Sequence, residues 1–327
     1  MAKRRQFIRE VGLGALSSLA LASTITKAAP AAEGPDPGSG KKVRIGIIGA
    51  ENSHSVNLGQ VFNVGKKFPG VEVVAIWGET DEFAKISAEK GSIPKIVKKQ
   101  EELLGLIDAL IIDHRHPKYH AAAAVPFVEA GIPTFVDKPF CYRVEEGRAL
   151  LELAEKRRTP ITSLSSVGYG PEVDDLAGQI PALDQIISVV VTGPSDIKSK
   201  YGGIFFYGIH TVERLFKLFG DEVESVRATR NGPRCTFEFK FANGNLATYV
   251  PAGGWNVYCA LKEKEGLTEI KPRVKLEDDA LYMYSAIVKM FQNGVEPRTH
   301  ESILKPIAAL EAMERSVYSE EWEHLLV

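Results

Sequence analysis

Short apolar runs alternate with helical patterns along residues 43–157, and this alternation restricts the possible folds more than any other feature of the sequence. The run Val43–Ile48 ends at Gly49, which is typical of a fully buried parallel strand that leads into a tight turn. A helix is predicted over Asn52–Val64, before the breaker Pro69-Gly70. The remaining elements predicted here are strands at Val71–Trp77, Ala109–Ile112 and Thr134–Val136, and helices at Asp81–Lys90, Tyr119–Ala130 and Val144–Arg157. Because crossover helices join parallel strands, the pattern predicts an α/β fold with a Rossmann-like, doubly wound parallel sheet.

The pattern changes after Pro160, where predicted strands follow one another directly. Asn243-Gly244 separates two of them, and both residues tolerate the positive φ that a tight hairpin turn needs. The predicted strands are Ile186–Thr192, Val226–Arg230, Cys235–Phe241 and Leu246–Val250, and the predicted helices are Tyr207–Phe219 and Leu276–Gln292. This half is expected to be an α+β domain with a mostly antiparallel sheet. The expected boundaries are a leader and linker at 1–40, a Rossmann-like domain at 41–159 and an α+β domain at 160–327.

The first 40 residues have the pattern of a leader rather than of a folded domain. Arg4 and Arg5 lie in a positive head, and Phe7 follows two positions later. The apolar run Val11–Ala22 is too short to span a membrane as a mature helix. The order of these residues is typical of a twin-arginine signal, and a general signal peptide is the alternative. We therefore expect export to the periplasm, with cleavage near Ala29-Pro30-Ala31.

The charge balance and the cysteines exclude several classes of function. The chain has 40 basic and 42 acidic residues, so it lacks the one-signed field that a nucleic-acid or anionic-membrane binder needs. A small neutral or weakly charged molecule is the expected partner, with no nucleic acid and no membrane. Cys141, Cys235 and Cys259 have no close pair, so they predict buried thiols rather than a disulfide framework or a cysteine metal site.

The turn after the first predicted strand has the position of a dinucleotide-phosphate site, because unpaired amides at a helix N-terminus point at an anion. Only the first glycine of the pattern G-x-G-x-x-G is present, as Gly49, whereas Glu51 and His54 replace the other two. Glu79 follows the second strand, one position later than an acid for ribose hydroxyls is expected. The candidate cofactor-binding residues here are Gly49, Ala50, Glu51, Asn52, Ser53, His54 and Glu79. A structural turn without a cofactor and a solvated loop acid are the alternatives.

Two loops that follow later strands carry further candidates. The loop Asp113–His120 contains three histidines, but their spacing does not match a zinc signature, so no metal site is predicted. His114 and His120 are predicted on the cofactor side. Lys138 lies in Asp137-Lys138-Pro139 at the end of an apolar strand, where a lysine can take part in proton transfer. Asp137 and Lys138 are also predicted cofactor contacts, and a solvated strand-end charge is the alternative for Lys138.

The order of these motifs resembles the Gfo/Idh/MocA oxidoreductase family over about residues 42–318. That family carries Glu-Lys-Pro where this chain has Asp137-Lys138-Pro139. The segment Gly208–Glu213 resembles the family's Gly-x-His-x-x-Asp segment, and Glu296-Pro297 with Ala312–Ser316 resembles its C-terminal helices. The resemblance implies a dinucleotide-binding domain at 41–159, a substrate-binding domain at 160–327, and NAD or NADP as the cofactor. It also implies a homo-oligomer that associates through the C-terminal sheet.

The same resemblance implies that Lys138 and His210 are catalytic residues at a reacting alcohol of a sugar, a polyol or a related carbohydrate. Family members usually carry Asp four positions before this histidine, whereas Phe206 stands there in this chain. Glu213, three positions after His210, is therefore expected to orient the imidazole as a third catalytic residue.

Two hypotheses for the function follow. The first is an NAD(P)-dependent oxidoreductase that transfers a hydride, with redox-neutral NAD-dependent glycoside cleavage as a variant. The second is a cofactor-free carbohydrate-binding protein on the same fold, which Glu51, Gly78 and Phe206 would permit. If the chain is an exported enzyme, its cofactor is expected to be tightly bound, because the periplasm has no general pool of free nicotinamide cofactor.

Overall fold

The computed structural model describes residues 40–274 and 279–327. The predicted leader and its cleavage site lie outside the described residues, as does the predicted start of the last helix at Leu276. No helix in the two described ranges is long and apolar enough to cross a membrane. The three cysteines are buried free thiols, as expected.

Six strands form the first sheet, in the spatial order β3-β2-β1-β4-β5-β6. They are β1 (Val43–Ile48), β2 (Val71–Trp77), β3 (Lys95–Ile96), β4 (Ala109–Ile112), β5 (Thr134–Val136) and β6 (Ile161–Thr162). Every neighbouring pair is parallel, which confirms the predicted Rossmann-like sheet. The strand order reverses between β1 and β4, and such a sheet binds its ligands outside the carboxyl ends of the strands at this point.

Four helices connect the strands of this sheet. They are α1 (His54–Gly59), α2 (Asp81–Gly91), α3 (His120–Glu129) and α4 (Val144–Arg157), with a π-helical turn over Gln60–Val64 that continues α1. The start of α2 shows why the sequence forms a helix there: the hydroxyl of Thr80 accepts a hydrogen bond from the Phe83 amide at 3.1 Å, and Asp81 places a carboxylate in the first turn. Helices α2, α3 and α4 begin and end within one residue of their predicted bounds, whereas the first predicted helix reaches Val64 only through the π-helical turn.

Seven strands form the second sheet, in the order β12-β11-β7-β10-β9-β8-β13. They are β7 (Ile186–Gly193), β8 (Val223–Asn231), β9 (Arg234–Phe241), β10 (Leu246–Pro251), β11 (Val257–Leu261), β12 (Lys264–Ile270) and β13 (Glu323–His324). The pairs are antiparallel except β7 with β10, so the expectation of a mostly antiparallel sheet is confirmed. The predicted hairpin is also present, with Gly244 at φ +85° in the turn between β9 and β10.

Four more helices belong to the second half of the chain: α5 (Pro171–Ala177), α6 (Phe205–Phe219), α7 (Asp279–Asn293) and α8 (His300–Ser319). Helix α8 packs on the second sheet, where the Ser316 hydroxyl accepts a hydrogen bond from the Ala228 amide at 2.7 Å. Helix α7 returns to the first sheet instead. Its residues Ile287 and Met290 share one buried apolar cluster with Val43 and Ile45 of β1. The first sheet is therefore covered partly by a helix from the far end of the chain.

Candidate active site

A cavity of about 150 Å³ lies at the carboxyl ends of β4 and β5, beneath α6 and α7. This volume is below the roughly 300 Å³ from which typical ligand sites begin, so it suits one small molecule rather than a whole dinucleotide. Its polar lining brings together residues from both halves of the chain, namely His54, Asn57, Asp113, Asp137, Lys138, Ser165, Ser166 and His210. The predicted meeting of Lys138 with His210 in one cleft is thus seen in the geometry.

The turn after β1 is as tight as its single glycine suggests. Gly49 has φ +113°, and a Cβ atom there would lie 2.5 Å from the backbone carbonyl carbon of Asp113. No other residue type fits this position without moving the backbone. The turn then leads directly into α1 through Ser53, whose side chain makes no capping hydrogen bond.

The carboxylate of Glu79 binds the backbone amides of this turn. Its Oε2 atom accepts hydrogen bonds from the Ala50 amide at 2.8 Å and from the Glu51 amide at 3.0 Å, and Oε1 lies 2.8 Å from Nδ1 of His114. Burial alone would raise the pKa of Glu79, but the bonds from His114 and the Ala50 amide outweigh it and hold the pKa below its ordinary value. A protein carboxylate therefore sits where the amides of a Rossmann turn meet pyrophosphate.

Gly78 occupies the position at which the acid for ribose hydroxyls usually stands. A Cβ atom there would lie 2.9 Å from the Cβ atoms of Ala50 and Ala84, so the close packing of the turn against α2 leaves no room for a side chain. Glu51, at the second glycine position, turns towards the second half of the chain, where its Oε1 accepts a hydrogen bond from the Tyr201 hydroxyl at 2.7 Å. The turn fits a dinucleotide only if Glu79 leaves the two amides.

Four polar side chains converge where β4 and β5 end. Nδ1 of His54 lies 3.2 Å from Oδ2 of Asp137 and 3.8 Å from Oδ1 of Asp113. The amide nitrogen of Asn52 lies between them, 3.0 Å from Asp113 Oδ1 and 3.2 Å from Asp137 Oδ2. Asn52 and His54, which were predicted as cofactor contacts, thus face the two aspartates.

The two aspartates are buried side by side and titrate differently. Burial and the adjacent charge of Asp137 raise the pKa of Asp113 well above its ordinary value. For Asp137, burial acts in the same direction, but the charges of His54 and Lys138 outweigh it and lower the pKa. Asp137 therefore carries the negative charge of the pair, and Asp113 is the member that keeps a proton longer.

Lys138 faces the ring of Phe206, with Nζ 5.7 Å from the ring centroid. Within the described ranges, no carboxylate lies at ion-pair distance from Nζ. The ammonium group therefore remains available to a ligand in the cavity. Phe206, which replaces the expected aspartate, packs against this cation instead of against the imidazole of His210.

His210 is oriented by Ser165, which lies beyond β6 and was not predicted. The Ser165 hydroxyl oxygen lies 2.6 Å from Nδ1 of His210. Burial and the nearby Lys138 charge hold the pKa of His210 well below its ordinary value, so the imidazole is neutral. One signal could have identified Ser165, because polar residues directly after a buried parallel strand lie at the carboxyl ends of the strands, where such a sheet binds its ligands.

The prediction that Glu213 orients His210 is wrong. Oε1 of Glu213 binds Nη1 of Arg298 at 2.8 Å, in a pair whose side chains are 9% and 19% exposed. The helical spacing brings Glu213 near its neighbours on α6, but the guanidinium of Arg298 draws its carboxylate away from the cavity. Glu213 therefore has a structural partner rather than a catalytic one.

His120 also differs from its predicted role. It is fully buried, and its ring nitrogens lie 2.7 Å from the backbone carbonyls of Pro139 and His114. Neither nitrogen is left for a cofactor. The ring instead joins the loop after β4 to the loop that carries Lys138, and so it fixes the position of this lysine. His114 is buried too, and its imidazole contacts the carboxylate of Glu79.

One family model matches part of the N-terminal half of the chain. Residues 43–163 match the Gfo/Idh/MocA model, described as an oxidoreductase family with an NAD-binding Rossmann fold. No curated protein sequence matches the chain significantly.

Solved structures share the fold of nearly the whole chain at low sequence identity. GenD2 from gentamicin A biosynthesis, in complex with NAD, is 15% identical with a TM-score of 0.72, covering 88% of this chain and 97% of its own. Myo-inositol dehydrogenase from Lactobacillus casei, in complex with NAD(H) and myo-inositol, is 16% identical with a TM-score of 0.70 and coverages of 88% and 98%. Apo scyllo-inositol dehydrogenase from the same organism is 13% identical with a TM-score of 0.72 and coverages of 88% and 99%. The match to the Gfo/Idh/MocA oxidoreductase family thus covers residues 43–163, and the solved structures extend the shared fold to 88% of the chain.

Proposed function

We propose that this protein is a nicotinamide-dependent oxidoreductase that acts on an alcohol of a sugar, a polyol or a related carbohydrate. The observation that carries the proposal is the meeting of Lys138 and His210 in one small cavity at the ligand-binding edge of the first sheet. Two structural neighbours act on inositols, which supports a polyol-like substrate. The balanced charge of the chain also fits an uncharged ligand.

Lys138 and His210 have different roles at the substrate hydroxyl group. His210 is neutral and therefore able to accept the hydroxyl proton. The Lys138 ammonium group donates a hydrogen bond to the same oxygen and stabilises the negative charge that develops there. Ser165 holds the imidazole through its 2.6 Å contact. A bound nicotinamide cofactor supplies the hydride acceptor.

Cofactor binding requires one side chain of the protein to move. Glu79 must release the Ala50 and Glu51 amides, which would then be free to hold phosphate oxygens. The side chain of Glu79 is 23% exposed, so it has solvent into which it can turn. Whether NAD or NADP is used, we propose that the cofactor stays bound through turnover, because an exported protein has no cofactor pool outside the cytoplasm.

The test is to purify the full chain, denature it and analyse the released small molecules by mass spectrometry. We expect NAD or NADP in amounts close to one per chain. The native protein should also reduce its bound cofactor when myo-inositol or a related polyol is added, as followed by absorbance. If the protein contains the cofactor but none of a broad set of sugars and polyols reduces it, the proposed substrate class is contradicted.

The second candidate function is a cofactor-free carbohydrate-binding protein, and the position of Glu79 on the turn amides favours it. In that case the purified protein releases no dinucleotide, and added NAD does not bind. Calorimetry with the same sugars would still detect a ligand. These results would reject the oxidoreductase and retain the carbohydrate ligand.

We further propose export by the twin-arginine pathway and association of copies through the C-terminal sheet. Replacing Arg4 and Arg5 with lysine should keep the protein in the cytoplasm, whereas a general signal peptide would still export it. Light scattering of the purified protein measures the number of copies. A monomer at micromolar concentration would contradict the proposed association.

A further inference from the structure

We propose that His54, Asp113 and Asp137 bind one divalent metal ion, with Asn52 as a fourth ligand. This site goes beyond the proposed oxidoreductase function and does not depend on it. It is also distinct from the His114-His116-His120 sequence, in which no metal site was predicted. The residues come from the start of α1 and from the loops after β4 and β5.

The donor atoms lie close enough together to bind one ion. One ligand atom from each of His54, Asp113 and Asp137 lies within 4.8 Å of the other two. Nδ1 of His54 lies 3.2 Å from the Asp137 carboxylate and 3.8 Å from that of Asp113. Ligands at bond lengths of about 2.0–2.2 Å from one metal ion lie roughly 3–3.5 Å apart, so small side-chain adjustments complete the site.

One carboxylate oxygen of Asp113 has no hydrogen-bond partner among the described residues. Asp113 is only 1% exposed, it lines the cavity, and its Oδ2 atom has no partner at hydrogen-bonding geometry among the described residues. A buried polar atom in this state costs about 1–3 kcal/mol. Protonation of the carboxyl group does not remove the problem, because the proton would then lack an acceptor. A metal ion would satisfy the group.

The Asn52 side chain lies against the other three residues of the site. Its amide nitrogen lies 3.0–3.4 Å from one atom each of Asp113, Asp137 and His54, so it occupies the fourth corner of the cluster. The oxygen and nitrogen of an amide group exchange places by a half-turn of the group. After this rotation, the Asn52 oxygen would face the metal ion. Without the ion, the Asn52 nitrogen faces the two aspartates and donates hydrogen bonds to them.

The donor set indicates which ion binds. Two carboxylates supply charge −2 and an imidazole supplies nitrogen, a combination that suits Mn²⁺ or Zn²⁺ better than Ca²⁺. The side chain of His54 is 37% exposed, which gives the ion a path from solvent. The ion would line the same cavity as Lys138 and His210, where it would polarise a substrate oxygen.

The test is calorimetric titration of the chelator-treated full chain with MnCl₂ and, separately, with ZnCl₂. We expect one equivalent of at least one ion to bind and to raise the melting temperature. Asp113→Asn and His54→Gln should each weaken this binding by at least about tenfold, since even groups that only support metal ligands cost that much. Asp108→Asn is the matched control: it lies before β4, at the opposite end of the strand from Asp113, and should bind the metal as the wild type does.

Folding and metal binding can be separated in the same experiment. Asp113→Asn removes a buried acid without changing its shape, so the variant should fold and melt cooperatively without metal, yet lose the metal-induced rise. Absence of binding by both ions would overturn the proposal. So would stoichiometric binding that Asp113→Asn and His54→Gln leave unchanged, because the ion would then lie elsewhere.

Discussion

One carboxylate oxygen of Glu79 lies 2.8 Å from the backbone nitrogen of Ala50. An anion of the protein itself thus occupies the turn that, in a Rossmann fold, receives the pyrophosphate of the cofactor. Any dinucleotide must compete with this side chain. The affinity for a dinucleotide would therefore depend partly on the strength of this internal contact.

We predict that Glu79→Gln increases the affinity for NAD about tenfold, because the amides lose a charged acceptor and the phosphates lose a repelling neighbour. Isothermal titration of cofactor-free protein measures the change. Glu102→Gln, in the 3₁₀ turn before β4, is a control away from the turn. Weaker binding by the Glu79 variant would show that this acid binds the cofactor directly.

Lys138→Met should reduce turnover by about 100-fold or more, because the uncharged side chain cannot stabilise a developing negative charge. The amount of bound dinucleotide and the melting temperature should change little. Lys85→Met, at an exposed site on α2, provides the comparison for loss of a lysine charge. Equal turnover of the two variants would place Lys138 outside the reaction.

Ser165→Ala should reduce kcat about tenfold with little change in KM, because His210 loses the hydroxyl group that holds its ring. Ser165 acts through His210 and is a positioning residue. NMR of ¹⁵N-labelled histidine provides a second readout, since the Nδ1 signal of His210 should move in this variant. An unchanged signal would mean that the contact is absent in solution.

Glu213→Gln should lower the free energy of unfolding by about 2–4 kcal/mol, because Arg298 would lose its buried charged partner. Turnover per folded molecule should remain near that of the wild type. Denaturant unfolding and activity measured on the same preparation distinguish the two effects. A selective loss of turnover would restore the catalytic role that the sequence suggested.

His116→Asn should make the protein less sensitive to acid. Burial and the charge of Lys118 lower the pKa of His116 to about 4, whereas the unfolded chain binds this proton near pH 6.5. Between these values the unfolded state holds more protons, so the wild type loses stability as the pH falls from 6.5 to 4. Asparagine keeps an acceptor for the Lys118 amide but takes up no proton.

Thermal unfolding between pH 4 and pH 8 checks this prediction. The melting temperature of the variant relative to the wild type should rise by about 2 °C as the pH falls through this range, which corresponds to about 1 kcal/mol after allowance for screening. A constant difference would mean that His116 titrates normally.

The sequence predicted the sheet-forming elements well where the pattern was long. Strand β1 and helix α4 match their predicted bounds, since their apolar periods extend over whole elements. Strands β3 and β6 have only two residues each, too few for any period to be recognised. The hairpin of β11 and β12 was missed because charged and exposed residues dominate its second strand.

The candidate site was predictable only in part. Lys138 and His210 follow from motifs that specify their positions, and the structure brings them together. The partners of Glu79 and Glu213 were not predictable, because each carboxylate has several basic or amide groups within reach and the sequence does not rank them. Asp113 was overlooked for a different reason: its significance lies in its burial beside Asp137, which is a property of the folded chain.

The return of α7 to the first sheet has a consequence for synthesis on the ribosome. Phe62, in the turn that continues α1, packs its ring 5.9 Å from that of Tyr284. Residues of β1 and α7 that share one apolar cluster are separated by more than 200 positions in the sequence. The first sheet of the nascent chain therefore keeps an exposed apolar face until almost the entire polypeptide has emerged from the ribosome. A fragment ending near residue 160 would expose the same apolar face permanently, and we expect it to aggregate.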